Sequence, residues 1–227
     1  MASILATGKD GYYADTEFDR RTRAAVAGEA SEWGDPAELY ARDAVEVMSF
    51  IQDDYPAVAR VLSGLEGYSI LDLGCGYGRL APLLSAFDCE RYLGVDRVAA
   101  RVDLALARYA SGVCDFKQAD ALAFGPEERG DERFDVVWTS NVMQHLLLPG
   151  KLRLVEAAKR ACAPGGVVLM REAEVIDGTL ADAERRYADP AHPRHMVPVP
   201  RAELERAFAP LVLTKLAGIV WMAAGGN

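Results

Sequence analysis

The sequence predicts an α/β protein: a doubly wound, mostly parallel seven-stranded sheet with helices on both faces, an antiparallel C-terminal hairpin and an N-terminal helical cover. From Ser69 onward, short apolar runs alternate with helical patterns, which is typical of parallel sheets covered by helices. Two apolar runs near the C-terminus are separated by Ala217 and Gly218, a spacing that favours a hairpin. The composition, 51% hydrophobic and 26% charged over 227 residues, suits a compact globular chain.

The core elements are expected as strand, helix, strand, helix, strand, then a loop, strand, helix and strand. Apolar runs bounded by turn residues give five strands: SILDL (69–73), YLGVD (92–96), VCDFKQAD (113–120), FDVVWTS (134–140) and VVLMREA (167–173). Helical periodicity gives the intervening helices: APLLSAF (81–87), VAARVDLALARYA (98–110) and KLRLVEAAKRACA (151–163). The turn PGG is expected just before the fifth strand.

The flanking segments predict further helices and one irregular stretch. Residues 36–65 suggest two helices, with Asp35 as the first N-cap, Pro36 at the first helical position and Pro56 near the start of the second. A helix is expected over 178–188. The prolines of DPAHPRHMVPVP (189–200) then argue against regular structure. A short helix, RAELERAF (201–208), leads into the hairpin runs LVLTKL and IVWMAA.

We expect a single domain over residues 1–227, because no repeat or low-complexity tract divides the chain. Its parts are predicted as an N-terminal helical cover or lid (1–66), a cofactor-binding core (67–176), a substrate-side insert (177–200), and a C-terminal helix and hairpin (201–227).

Charge and cysteine content exclude several classes of function. The net charge of −9 and pI near 4.9 disfavour nucleic acid as a partner. The four cysteines are irregularly spaced without a CxxC, which argues against zinc and disulfides and favours a reducing cytoplasm. No segment reads as an export signal or a membrane span. The oligomeric state cannot be predicted from the sequence.

The stretch ILDLGCGYGRL (70–80) places three glycines directly after the first strand. A glycine loop between a strand and a helix brings ligand oxygens against bare backbone amides. Gly76, Gly78 and Ala81 satisfy a dinucleotide-binding spacing, and Asp96 stands where a carboxylate can bind a ribose diol. These features suit a dinucleotide and an S-adenosyl cofactor equally, and Asp96 could instead be a helix N-cap.

The wider pattern resembles the seven-stranded, S-adenosylmethionine-dependent methyltransferases of Rossmann-like fold, from about Ser69 to Ala173 and more weakly to the hairpin. The resemblance is carried by five features in order: Asp72 with GCGYG, Asp96, Asp120 closing FKQAD, FDVVWTSNVMQHL, and APGG at 163–166. It implies that S-adenosylmethionine is the cofactor and S-adenosylhomocysteine the product.

The resemblance also implies roles for individual residues. Asp72 would hold the methionine ammonium, Asp96 the ribose diol and Asp120 the adenine amino group, with Ala121 beside the ring. The backbone of the glycine loop would lie against the methionine and ribose portions. The remaining cofactor-binding residues assigned with these are Gly74, Cys75, Gly76, Gly78, Arg97, Asn141, Arg20 and Tyr13.

The segment NVMQHL after the fourth strand is expected to carry the acceptor chemistry. Asn141, Gln144 and His145 fall at the carboxyl edge of the sheet, where open α/β folds bind ligands. His145 is the candidate catalytic residue, because an imidazole can take a proton from a hydroxyl or ammonium group near neutral pH. The alternative is that His145 only packs or hydrogen-bonds to backbone. Gln144 and His145 are both assigned to the substrate.

Further substrate residues are expected on both sides of this core. Arg171 and Glu172 close the fifth strand on the same edge. The aromatic residues Tyr12, Tyr13 and Trp33 of the N-terminal segment could form a lid over a cation or could simply pin helices. No metal is expected, since His192 and His195 near Asp189 lack a clear third ligand.

The expected function is methyl transfer from S-adenosylmethionine to an oxygen or nitrogen atom of a polar small molecule, a metabolite or natural product. The absence of NPPY or DPPY after the fourth strand lowers nucleic-acid and glutamine substrates. Three alternatives stay open: a protein N-terminal amine methyltransferase, a non-catalytic S-adenosylmethionine-binding regulatory scaffold, and a dehydrogenase.

Overall fold

The computed structural model describes Ile4, Ala44, Ala191 and residues 47–124, 132–189 and 196–225. Several predicted residues lie outside this part of the chain, namely Tyr12, Tyr13, Arg20, Trp33, Asp35, Pro36, His192 and His195. The roles expected for them stay predictions.

The fold is built on a seven-stranded sheet with the order β3-β2-β1-β4-β5-β9-β8. Its strands are β1 (Tyr68–Leu73), β2 (Cys89–Asp96), β3 (Cys114–Gln118), β4 (Phe134–Ser140), β5 (Cys162–Arg171), β8 (Val212–Ala217) and β9 (Val220–Ala224). β1 with β2, β2 with β3 and β4 with β5 pair in parallel, whereas β9 pairs antiparallel with both β5 and β8. The predicted fold class, including the C-terminal hairpin, is confirmed.

Six α-helices accompany the strands in the described residues: α1 (Tyr55–Leu62), α2 (Ala81–Leu84), α3 (Ala99–Tyr109), α4 (Leu148–Ala161), α5 (Leu180–Ala188) and α6 (Arg201–Phe208). A capping box starts α5, in which Thr179 accepts from the Asp182 N–H and Asp182 accepts from the Thr179 N–H. Of the described helices, none is long and apolar enough to cross a bilayer.

Contacts divide the chain into two compact units. The N-terminal unit, Ala14–Asp120, contains β1 to β3 with α1 to α3. The C-terminal unit, Met1–Tyr13 with Ala121–Asn227, contains β4, β5, β8 and β9, two short strands β6 (Val175–Ile176) and β7 (Val199–Pro200), and α4 to α6. Most side chains of β1 and β2 are buried, as expected of strands covered on both faces.

Pro56 lies near the start of α1, as the sequence predicted, but no break separates α1 from the helical residues before it. The chain is helical from Val47 to Leu62, with a π-helical turn at Phe50–Asp54 leading directly into α1. The Tyr55 N–H reaches back five residues to the Phe50 carbonyl. Pro56 has no N–H to donate, and the wider turn before it lets the helix continue, as π-turns do inside α-helices.

Two other local predictions also need correction. Val199 and Pro200, in the stretch expected to lack regular structure, form β7 and pair in parallel with β6 (Val175–Ile176); proline is tolerated here because a two-stranded ladder has free edges. The PGG turn lies inside β5 and not before it. β5 pairs Cys162 with Phe134 and Val167 with Val136, so residues 163–166 form an enlarged bulge.

Candidate active site

The glycine loop, residues 74–78, runs from the end of β1 across the end of β2. The N–H groups of Gly74 and Cys75 both donate to the Val95 carbonyl, at 2.8 and 3.0 Å. The Gly76 N–H donates to Asp96 Oδ2 at 3.1 Å. These bonds fix the loop against the carboxyl end of the neighbouring strand, within the N-terminal unit.

The structure gives different reasons for glycine at two positions of this loop. Both have a left-handed backbone, φ +58° at Gly76 and +76° at Gly78. A Cβ on Gly78 would lie 2.7 Å from the Phe116 ring and 3.1 Å from Ala105, so packing excludes a side chain there. Among the described residues, a Cβ on Gly76 would meet nothing within 4 Å. The Phe116 ring and Ala105 therefore occupy the space beside Gly78, whereas no described atom occupies the space beside Gly76, where a ligand can approach the backbone.

Asp72 at the end of β1 is a buried carboxylate, only 3% exposed. Tyr92 Oη donates to Asp72 Oδ2 at 2.5 Å. Burial raises the pKa of Asp72 to about 7, against the Tyr92 hydrogen bond that lowers it. Burial, and the negative charge of Asp72, in turn raise the pKa of Tyr92 well above its usual value. In this buried position, a cationic partner strongly stabilises the ionised form of Asp72.

Asp96 at the end of β2 is held by backbone amides on both oxygens. Its Oδ2 accepts from Gly76 and its Oδ1 from the Val98 N–H at 2.9 Å, while Arg101 Nη1 lies 3.7 Å from Oδ2. A carboxylate has about four lone-pair sites. Asp96 thus accepts from the N-cap residue of α3, Val98, and is not the N-cap itself, as one alternative had it. It retains acceptor capacity for hydroxyl donors.

Asp120 and Arg97 follow the ends of two neighbouring strands of the N-terminal unit. The Ala119 N–H donates to the Asp96 carbonyl at 3.1 Å, and Gln118 Nε2 donates to the Arg97 carbonyl at 3.2 Å. Asp120 is half-buried, and Ala121 is buried. The first three strand ends of the predicted cofactor set, with Asp72, Asp96 and Asp120, therefore belong to one compact unit.

In the C-terminal unit, the chain leaves β4 through a turn that we call the post-β4 turn, residues 141–148. Asn141 takes a left-handed backbone, φ +57°, which asparagine adopts more readily than most residues. Its N–H donates to the Arg171 carbonyl at 2.9 Å. A 3₁₀-helix, Met143–His145, follows. The side chains of Gln144 and His145 meet, with their Nε2 atoms 3.3 Å apart.

Glu172 is buried beneath this turn. Its Oε1 accepts from the Val142 N–H at 3.1 Å, with Thr139 Oγ1 3.5 Å away, and the residue is 2% exposed. Such burial does not favour the direct substrate contact expected for Glu172. Arg171 is partly exposed and pairs with Ser140 and Val220 in the sheet.

Two residues that bear on the site were not anticipated. Tyr92 lies in β2 on the same face as Gly94 and Asp96, and the period of two in YLGVD could have placed its hydroxyl beside Asp72. Lys151 is fully buried at the start of α4 and donates to the Met143 carbonyl. Its spacing with Leu154, Val155 and Ala158 on one helical face was a signal for a buried lysine.

Cysteine and metal-ligand chemistry add nothing to this set. All four cysteines are buried and none is in a disulfide. In the part of the chain that the structure describes, no group of three or more His, Cys, Asp or Glu side chains is arranged to hold a metal ion.

Sequence relatives match about three fifths of this chain. A ubiquinone biosynthesis O-methyltransferase of Alkalilimnicola ehrlichii is 29% identical over 140 residues, covering 62% of this chain and 54% of that enzyme. One from Azorhizobium caulinodans is 31% identical over 152 residues, covering 62% and 56%. The chain thus matches little more than half the length of these relatives.

Solved structures share the fold. The structure of DhpI with SAM and HEP aligns with a TM-score of 0.63 at 19% identity, covering 96% of this chain and 98% of that one. DesVI of Streptomyces venezuelae aligns with a TM-score of 0.61 at 16% identity, covering 85% and 99%. A sequence model of the methyltransferase domain family matches residues 37–211. The resemblance inferred from the motifs is confirmed, and the chain belongs to the methyltransferase domain family.

Proposed function

We propose that this protein transfers the methyl group of S-adenosylmethionine to an oxygen or nitrogen atom of a polar small molecule, a metabolite or natural product. The observation that carries the proposal is the arrangement in the N-terminal unit of two buried carboxylates, Asp72 and Asp96, at the ends of β1 and β2. They lie beside a glycine loop in which no described atom occupies the Cβ position of Gly76.

These residues fit the cofactor's chemistry. The methionine portion carries an ammonium group. Burial disfavours the ionised form of Asp72, so a cation beside this carboxylate is strongly stabilising. Asp96 has acceptor capacity left for the ribose hydroxyls. We assign Asp120 to the adenine amino group. The ligand would lie directly against the backbone of Gly76. When bound, S-adenosylmethionine supplies a methyl group already activated by its sulfonium.

Because the methyl group is activated, the protein has chiefly to orient the acceptor and exclude water. We assign the acceptor side to the post-β4 turn, with Gln144 orienting the acceptor and His145 accepting its proton. The contact between the two Nε2 atoms, 3.3 Å apart, supports assigning both side chains to one acceptor site, since it places the Gln144 amide beside the imidazole. Arg171 is assigned to recognition of a polar acceptor.

The names of related proteins support a small acceptor and both kinds of acceptor atom. Sequence relatives are named as O-methyltransferases of ubiquinone biosynthesis. Among the structures of like fold are CalS10, described as an amino pentose methyltransferase from Micromonospora echinaspora, and NodS of Bradyrhizobium japonicum, described as an N-methyltransferase. We propose action in the cytoplasm.

The test is an acceptor screen that measures formation of S-adenosylhomocysteine. Purified protein is incubated with S-adenosylmethionine and panels of phenols, amino sugars, polar acids and peptides with a free N-terminal amine. Acceptor-dependent product with a small molecule, and methylated acceptor of the expected mass, supports the proposal. Turnover of the peptides alone would replace it with N-terminal amine methylation. Cofactor binding without turnover on any panel would favour a regulatory scaffold.

A further inference from the structure

The C-terminal unit contains two buried, oppositely charged side chains that the proposed chemistry does not use. Lys151 is 0% exposed and Glu172 is 2% exposed. Charges this deeply buried are costly unless they bind polar partners. Lys151 lies in the first turn of α4 and Glu172 directly follows β5, so the chain brings them to the same place from different elements. Because burying these two charges is costly, we expect them to have a role.

Both side chains hold the backbone of the post-β4 turn. The Glu172 carboxylate accepts from the Val142 N–H at 3.1 Å, and the Lys151 ammonium donates to the Met143 carbonyl. A negative group thus holds an amide and a positive group a carbonyl of adjacent residues. Burial raises the pKa of Glu172, and hydrogen bonds from the amides of the turn oppose that rise. Burial lowers the pKa of Lys151, and the negative charges of Glu172 and Glu174 oppose that fall.

The same turn is held at three further points by backbone bonds alone. The Asn141 N–H donates to the Arg171 carbonyl at 2.9 Å, the Val197 N–H to the Gln144 carbonyl at 2.7 Å, and the Leu148 N–H to the Ile4 carbonyl at 2.8 Å. Leu147 packs with Ile4 and with residues of α5 and the insert. The backbone of the turn is therefore fixed from several sides, and the Lys151–Glu172 pair supplies its only charged supports among the described contacts.

We propose that Lys151 and Glu172 are positioning residues for methyl transfer, fixing from below the turn that presents Gln144 and His145. The inference rests on the proposed function, because it assigns the turn to the acceptor. Its physical basis is that displacement of a catalytic group by about 1 Å can cost about a hundredfold in rate. Two charge-assisted hydrogen bonds to the backbone, made where water is excluded, hold such a group better than packing alone.

The test compares Lys151→Met, Glu172→Gln and the double variant with the wild type. Lys159→Met is the matched control, because Lys159 lies in the same helix and donates to the carbonyls of Ala207 and Ala209, away from the turn. The double variant removes both charges of the pair together, so neither is left without the other and the test stays open if a single variant fails to fold.

Amide hydrogen exchange followed by NMR is the first measurement. We expect exchange at Val142, Met143 and Gln144 to rise at least tenfold in the variants of Lys151 and Glu172 that fold, with β4 and β5 unchanged, and no change in the turn of Lys159→Met. Unchanged exchange in the turn, or an increase spread evenly over the unit, would make the pair a contributor to stability only and overturn the proposal.

Kinetics with an acceptor found in the screen is the second measurement. We expect kcat to fall tenfold or more while the Kd for S-adenosylmethionine, measured by calorimetry, stays within twofold. A wild-type kcat in the folded double variant would overturn the proposal. The exchange result does not depend on the cofactor, so failure of the proposed function, seen as no binding of S-adenosylmethionine, is distinguishable from failure of the positioning role.

Discussion

The two functional regions of this protein are built in different ways. In the N-terminal unit, the glycine loop and Asp96 come from the ends of adjacent parallel strands and contact one another through short, direct hydrogen bonds. In the C-terminal unit, the post-β4 turn is held by the nearby Lys151 and by groups from the sequence-distant positions Ile4, Glu172 and Val197. The first region is built from strand ends that follow one another along the chain. The second depends mainly on contacts between residues far apart in the sequence.

The largest expected effect separates the acceptor side from the cofactor side. His145→Ala should lower kcat about a hundredfold or more, because proton transfer by a positioned side chain typically contributes 10²–10⁴-fold. The Kd for S-adenosylmethionine should stay within twofold, since His145 belongs to the other region. Steady-state kinetics and calorimetry on the same preparation measure both.

Asp103→Ala, at an exposed position of α3, is the control for that variant, and it should match the wild type. Wild-type turnover in His145→Ala would give His145 a packing role only. A large loss of cofactor affinity in His145→Ala would remove the separation between the two regions.

A stability prediction probes the glycine loop. Gly78→Ala should lower the free energy of unfolding by about 2 to 4 kcal/mol, because the new Cβ meets the Phe116 ring at 2.7 Å and the backbone is left-handed. Gly76→Ala, equally left-handed but unobstructed, should cost only about 1 kcal/mol. Urea unfolding measures both.

Gly112→Ala is the matched control, because its Cβ would meet nothing within 4 Å and its backbone is not left-handed. It should stay within about 0.5 kcal/mol of the wild type. Equal losses for Gly76→Ala and Gly78→Ala would show that Phe116 yields easily and that backbone strain alone explains both glycines.

Asp96→Asn should weaken binding of S-adenosylmethionine about 10- to 100-fold. The charged hydrogen bonds that a carboxylate makes are worth about 1.5–3 kcal/mol each, and an amide in its place turns an N–H toward either Gly76 or Val98. Calorimetric titration of the variant against Asp103→Asn, an exposed aspartate of α3 in the same unit, isolates the effect. Equal affinities for the two variants would take Asp96 out of the cofactor site.

A smaller effect is expected from pH. The pKa of Asp72 in the folded protein is raised to about 7, so the carboxylate is lost as pH falls through 7, while the cofactor's ammonium stays protonated. The affinity for S-adenosylmethionine should therefore fall up to about tenfold per pH unit below 7. The free energy of unfolding depends on pH in the opposite direction. Asp72 takes up a proton more readily in the folded state, so its contribution to stability is present below about pH 4 and is lost as pH rises from about 4 to 7.

Tyr92→Phe sharpens this prediction. It removes the hydroxyl that donates to ionised Asp72, so the pKa of Asp72 should rise further and the break in affinity should move to higher pH. Calorimetry between pH 5.5 and 8 follows both proteins. An affinity independent of pH in this range would mean that Asp72 does not hold the ammonium group.

The difference between the regions also explains what the sequence could predict. The alternation of strands and helices in the core, the glycine loop and the carboxylates at strand ends follow from local periodicity and from rules for parallel sheets. The π-turn before Pro56 and the bulge of residues 163–166 could not be predicted, because each depends on how a strained segment is accommodated by its neighbours.

Only part of the acceptor side could be predicted from the sequence. NVMQHL marks the turn, but nothing local in the sequence shows that Glu172 faces backbone amides and not a substrate. That orientation depends on the register of β4 with β5, which pairs Ser140 with Arg171 and brings Glu172 beneath Val142. Lys151 carried a visible signal in its position on an apolar helix face, since a lysine there must find a buried acceptor.

The central claim is that the N-terminal unit binds an S-adenosyl cofactor. Calorimetric titration of the purified protein with S-adenosylmethionine, S-adenosylhomocysteine and NAD in parallel tests it most directly. We expect both S-adenosyl compounds to bind with micromolar affinity and NAD not to bind. Binding of NAD alone, or of none of the three, would contradict the claim.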